Sequence, residues 1–157
     1  MQWAEVLSDK SLKDLPYKIE LDKWGNVIMS PANNRHGRLQ SVLAALLEKL
    51  PQGRTLIECS VATPEGVKVA DVAWFSDAFF DRFGYETPYP HAPEICVEVR
   101  SPSNSEEELN FKTRLYLEAG AKEVWIVLES GEARFFGSEG ERTQSEYGVD
   151  PRPLLNH

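Results

Sequence analysis

Glu94-Ile95-Cys96-Val97-Glu98-Val99-Arg100 decides the fold. It is a short, β-branched, apolar run of the kind that forms a buried strand, interrupted by one carboxylate. Alternation sends Ile95, Val97 and Val99 to one face and Cys96, Glu98 and Arg100 to the other. A bare carboxylate is too costly to bury, so Glu98 must be paired, protonated or bound to a cation. After Ser101-Pro102-Ser103-Asn104 the sequence predicts a helix over Ser105–Ala119. Ser105 and Glu108 form a capping-box pattern there, and Gly120 suits the residue just past the end. Glu123–Leu128 then reads as a second buried strand, with Glu132–Phe136 as its hairpin partner beyond Ser130-Gly131.

Working back from this unit, Val67–Phe75 predicts another buried strand. It also carries one acid, Asp71, in Val69-Ala70-Asp71-Val72-Ala73-Trp74-Phe75. Thr55–Ala62 precedes it across a Thr63-Pro64-Glu65-Gly66 turn, so the two are expected to pair. The clearest helix runs from about Arg35 to Leu50, where Leu39, Val42, Leu43, Leu46, Leu47 and Leu50 fall on one face. Asn33 or Asn34 is its candidate cap, and Pro51-Gln52-Gly53 ends it. Tyr17–Leu21 and Asn26–Met29 flank Trp24-Gly25-Asn26 and predict a β-hairpin. The segment before Leu15 reads as a short helix or arm. Residues 76–93 are irregular, with aromatics from Phe79 to Tyr89. They read as a loop or short helix over the core, the competing reading being a lid over a substrate. The order fits an α/β fold: a mixed sheet flanked by helices.

The chain has 157 residues, 41% of them hydrophobic, which suits a single domain with one core and a polar tail over 137–157. No apolar run is long enough for a membrane helix, and Met1–Val6 lacks the character of a signal peptide, so a cytoplasmic location is expected. Cys59 and Cys96 lie in predicted strands, outside any Cys-x-x-Cys pair, and read as buried small hydrophobes. The net charge of −8 argues against a generic nucleic-acid binder. It does not exclude a nuclease, because an acidic site that takes divalent cations carries part of that charge.

Asp71 and Glu98 on neighbouring strands, with Lys112 on the following helix, are the parts of a metal-dependent phosphodiesterase site. A hard cation such as Mg²⁺ takes one or two carboxylates, with water, carbonyl and phosphate oxygens completing its shell. Asp71, Glu98 and the Val99 carbonyl could supply the protein share. Lys112 lies between Leu109 and Tyr116 on an apolar stripe, from which its ammonium can reach Glu98 to orient water or stabilise charge. The same residues also permit a purely structural ion pair. Two acids alone would further permit a carboxylate-pair glycosidase, which the lysine and the strand placement disfavour.

Several motifs together resemble a known family: Val69-Ala-Asp71-Val-Ala-Trp74; Pro93-Glu-Ile-Cys-Val-Glu98-Val-Arg-Ser101-Pro102-Ser103; Lys112-x-x-x-Tyr116-x-x-x-Gly120; and Glu123-Val-Trp125. From about Tyr17 to Phe136, including Glu20, Gly25, Met29-Ser30-Pro31 and His36, the chain resembles the Uma-type restriction endonucleases of the PD-(D/E)XK nuclease superfamily. The resemblance implies a restriction-endonuclease-like core, Asp71 and Glu98 as metal ligands, Mg²⁺ or Mn²⁺ as cofactor, and DNA as substrate. The superfamily places a lysine two residues after the glutamate. Arg100 stands there in this chain, and the resemblance moves the lysine to Lys112, leaving Arg100 as a second candidate or a phosphate contact. Ala70 replaces the usual proline before the aspartate, and Glu20 has one extra residue before its glycine. By resemblance Glu20 is a distal acid of the site, its alternative being an exposed strand residue. His36 is a site-edge phosphate contact, its alternative being a helix-start histidine with local bonds. Tyr116 and Trp125 read as core. Cutting both strands of a duplex would suit a homodimer. The rival function is a catalytically inactive nuclease fold that binds nucleic acid or a protein.

Overall fold

The structure, a computed structural model, describes residues 1–101 and 104–156. Pro102 and Ser103 of the quoted motif, and His157, lie outside the described residues. The elements run α1 (Trp3–Ser8), β1 (Tyr17–Leu21), β2 (Val27–Pro31), α2 (Asn34–Glu48), β3 (Gly53–Thr63), β4 (Gly66–Ser76), α3 (Asp77–Phe83), β5 (Ile95–Arg100), α4 (Glu106–Glu118), β6 (Glu123–Leu128), β7 (Ala133–Gly137) and β8 (Gly140–Arg142). A 3₁₀ turn follows at Arg152–Leu154.

Strands β3 to β8 lie in chain order in one mixed sheet. Every neighbouring pair is antiparallel except β5–β6. A parallel pair needs a crossover, and α4 is that crossover. The residues set both faces. Ile95, Val97 and Val99 of β5, with Trp125 and Val127 of β6, meet Leu39, Leu43 and Leu47 of α2. Cys96, Val124 and Ile126 turn to the other face, against Leu109 and Tyr116 of α4 and Phe79 of α3. The alternation read from Glu94–Arg100 is therefore the alternation of the layers.

Helix starts follow their caps. Asn33 Oδ1 accepts the His36 amide at 2.8 Å, and Ser105 Oγ accepts the Glu108 amide at 3.1 Å. Such caps hold a helix end by about 1 kcal/mol each. Gly120, at φ +116°, turns the chain after α4 against the His91 imidazole.

Residues 76–93 contain a true helix, α3, capped by Ser76 Oγ on the Phe79 amide at 3.1 Å. Phe79 and Tyr89 pack inward, while Tyr85 is exposed. Phe79 meets Phe75 at 5.5 Å, Phe83 at 4.7 Å and Tyr89 at 5.0 Å between ring centroids, so this segment covers the core. The segment after Gly137 supplies the edge strand β8 and buries Leu155 against the α2 layer. Cys59 and Cys96 are free and buried, and burial pushes the Cys59 thiol up to about 12. Among the described residues no helix is long and apolar enough to cross a membrane. The β1–β2 hairpin forms its own two-stranded sheet.

Candidate metal centre and cleft

The site arises where two strands part. The β4–β5 ladder runs from Trp74↔Ile95 to Val72↔Val97 and goes no further. Beyond it, β4 and β5 have backbone groups that still need partners, since an unpaired buried amide or carbonyl is costly. Side chains supply them. The Val99 amide donates to Asp71 Oδ2 at 2.7 Å, and the Asp71 amide donates to Glu98 Oε2 at 3.3 Å. Gln40 of α2 donates to the Asp71 carbonyl at 2.9 Å. The Val69 amide donates to Glu20 Oε2 at 2.6 Å, and Lys18 Nζ donates to the Val69 carbonyl at 3.0 Å. The fork thus gathers carboxylates because its open edge needs acceptors.

Glu98 is fully buried and Asp71 is 1% exposed. Lys112 reaches Glu98 Oε1 at 2.7 Å and Glu20 Oε2 at 2.5 Å, spanning from α4 to β1. Arg100, two residues along the same face of β5, holds Glu98 Oε1 at 2.8 Å. Burial pushes the Glu98 carboxyl up, but Lys112, Lys18 and Arg100 outweigh it and hold the group well below the usual carboxylate range. His36, in the first turn of α2, places Nε2 3.3 Å from Asp71 Oδ1. That hydrogen bond raises the imidazole pKa above its ordinary value against the opposing effect of burial.

Every candidate residue read from the sequence therefore lies in one cluster. Glu20 is a buried member bonded to Lys112, in place of an exposed strand position. Val99 enters through its amide, on Asp71. Tyr116 and Trp125 are fully buried in the two core layers.

Sequence reasoning missed Lys18 and Gln40. Lys18 sits directly against the Asp71 carboxylate. Its Nζ lies 3.2 Å from Asp71 Oδ1 and 3.2 Å from Glu98 Oε2. Burial lowers the ammonium pKa, but Glu98, Asp71 and Glu20 more than offset this and raise it above the ordinary lysine value. The available signal was Lys18-Ile19-Glu20, which puts an ammonium and a carboxylate on one face of β1.

A divalent cation can be tested against this donor set. Asp71 and Glu98 are hard oxygen donors from separate strands that already share one cation, the Lys18 ammonium, which acts as a stand-in ion. Among the described residues no group of three or more His, Cys, Asp or Glu side chains is arranged to hold a metal, so a closed zinc-type cage does not fit. Two carboxylates from separate strands suit Mg²⁺ or Mn²⁺, which complete their shell with water and substrate oxygens. Lys18, which contacts both acids, lines a cleft of about 340 Å³ with Met29, Ser30, His36, Val99 and Arg100, among others.

The model of the Uma2 family, described as "putative restriction endonuclease", matches residues 9–155. Among solved structures, the chain is similar to the crystal structure of a "putative nuclease belonging to DUF820" from Anabaena variabilis ATCC 29413. The TM-score is 0.69 at 16% identity, over 100% of this chain and 93% of that one. That likeness establishes a shared fold. No curated protein matches.

Proposed function

We propose that this chain, which belongs to the Uma2 family, is a divalent-metal-dependent DNA endonuclease that hydrolyses phosphodiester bonds. The observation that supports this reading most is the convergence of Asp71 and Glu98 on a single cation position, that of Lys18, whose side chain lines an open cleft. In this reading Asp71 and Glu98, with the Val99 carbonyl, would hold Mg²⁺ or Mn²⁺. When bound, the ion supplies charge stabilisation at a phosphate oxygen and a more acidic water.

The chain's own residues do the rest. Lys112 and Arg100 keep Glu98 ionised and fix the direction of its oxygens before a cation arrives. Lys112, held by Glu98 and Glu20, is positioned to orient a water or to stabilise charge. Arg100 also lines the cleft, where its guanidinium can grip a phosphate. His36 faces the same cleft and steers Asp71 through Nε2. Gln40 and the Val99 amide pin Asp71 from behind. A DNA substrate goes with a cytoplasmic site of action, and cutting both strands goes with a homodimer.

One observation favours a second reading, an inactive nuclease fold that binds nucleic acid or a protein. Lys18, Lys112 and Arg100 already balance Glu20, Asp71 and Glu98 without any metal. Plasmid and single-stranded DNA incubated with Mg²⁺ or Mn²⁺ separate the two. The nuclease reading expects metal-dependent cleavage that falls at least about a hundredfold in Asp71→Asn and in Lys112→Met. Cleavage unaffected by these substitutions, or equally fast in chelator, contradicts it.

A further inference from the structure

Lys18 stands where the proposed reaction needs a divalent ion. Its Nζ lies equidistant, at 3.2 Å, from one oxygen of Asp71 and one of Glu98. Its side chain is 9% exposed, and it also donates to Glu98 Oε1 at 3.4 Å and to the Val69 carbonyl at 3.0 Å. We infer that Lys18 is a resident counter-cation of the site: a divalent ion enters by displacing its ammonium, which turns into the cleft to meet a substrate phosphate.

Three features carry this. The first is charge. With Lys18 in place and His36 neutral, three acids face three cations, and the site has no net demand for more positive charge. A divalent ion added beside the ammonium meets strong like-charge repulsion at these short separations. With the ion in its place the acids carry one excess positive charge, and the displaced ammonium adds a second beside the cleft, an excess suited to an anionic phosphodiester.

The second is room. Lys18 lines two cavities, the cleft of about 340 Å³ beside Ser30, His36 and Arg100, and another of about 300 Å³ beside Tyr17, Glu58 and Ser60. A lysine walled in on all sides would have nowhere to go. The cleft with Arg100 and His36 on its wall is the destination, because a phosphate held there gives the freed ammonium a new partner.

The third is what stays behind. Glu98 keeps Lys112 and Arg100, and Asp71 keeps the Val99 amide and His36, when Lys18 leaves. The fork therefore remains tied without it. An empty acid pair would repel itself, and Lys18 removes that cost while no metal is bound.

The inference rests on the nuclease reading, and its test reads metal binding and lysine exposure, not cleavage. Wild-type protein is acylated with an N-hydroxysuccinimidyl acetate, with and without Mn²⁺, and Lys18 labelling is followed by peptide mass spectrometry. Displacement predicts that Mn²⁺ raises the Lys18 labelling rate about fivefold or more, as the exposed population grows. Calorimetry on Lys18→Met should show Mn²⁺ binding about tenfold tighter than in the wild type, because no ammonium must be moved. Where Lys18→Met does not fold, the wild-type labelling decides alone. Mn²⁺ binding to the wild type with unchanged Lys18 labelling overturns the displacement and leaves the nuclease reading standing. No Mn²⁺ binding to the wild type or to a folded Lys18→Met overturns both.

Discussion

Replacing Lys112 with methionine keeps the buried stem of the side chain and removes only its charge. The structure sets the cost. The ammonium makes two charge-assisted contacts, to Glu20 Oε2 at 2.5 Å and Glu98 Oε1 at 2.7 Å, and the side chain is almost wholly buried. Removing one partner of a buried pair costs about 3–5 kcal/mol, because a charge is left uncompensated. The two acids do not suffer equally. Glu98 retains Lys18 and Arg100, whereas Glu20 is left with the Val69 amide at 2.6 Å. The loss should therefore fall at the lower end, about 3 kcal/mol, and come mainly from Glu20. For a chain of this size that lowers Tm by about 6–12 °C. Adding Glu20→Gln in the Lys112→Met background neutralises the orphaned acid. A double-mutant cycle by urea unfolding should then show a coupling of about 1–3 kcal/mol, the double variant being more stable than additivity allows. Lys112→Met losing less than about 1 kcal/mol, or a strictly additive cycle, refutes the reasoning that Lys112 is the principal cation of Glu20.

Other perturbations separate the site from its scaffold. Gly120→Ala forces a Cβ to within 2.0 Å of His91 Cε1 at a φ of +116°, so thermal melts should show a loss of about 1–3 kcal/mol. Glu123 is a second fully buried acid, bonded to Trp125 Nε1 at 2.7 Å and Arg142 at 3.2 Å, at the end of the β5–β6 pair away from Glu98. Glu123→Ala should destabilise by about 3 kcal/mol on urea unfolding while Mn²⁺ affinity stays at the wild-type value, which distinguishes a structural acid from a site acid. Leu43→Ala, in the centre of the α2 layer, should cost about 2–5 kcal/mol by the same assay.

How far the sequence could be read follows from how far apart the deciding residues lie. The β5–α4–β6 unit was legible because its signals are local: alternation within Ile95–Arg100, the Ser105 cap with the Glu108 amide three residues on, and a glycine past the helix end. Local direction also took Lys112 to Glu98, which is fourteen residues away. Lys18 was hard to place for the opposite reason. Tyr17-Lys-Ile-Glu-Leu reads as a hairpin strand with charges on its solvent face. That face becomes the inner one only because β1 lies along β4, bringing Lys18 to the carbonyl of Val69, fifty-one residues later. The same packing moves Glu20 from an open choice to a buried partner of Lys112. Gln40 looks like a polar position beside Leu39, and its partner, the Asp71 carbonyl, is thirty-one residues away. Among the aromatics of residues 76–93, only the Ser76 cap marked where α3 begins. Distant packing, more than composition, completes this site.

The central claim, that Asp71 and Glu98 form one cation site, is tested most directly by calorimetric titration of Mn²⁺ into the wild type and Asp71→Ala, both verified as folded. The account predicts one Mn²⁺ per chain in the wild type and a loss of affinity of at least about a hundredfold in Asp71→Ala, since one of two carboxylate ligands is gone. Equal Mn²⁺ affinity in the two proteins would contradict it.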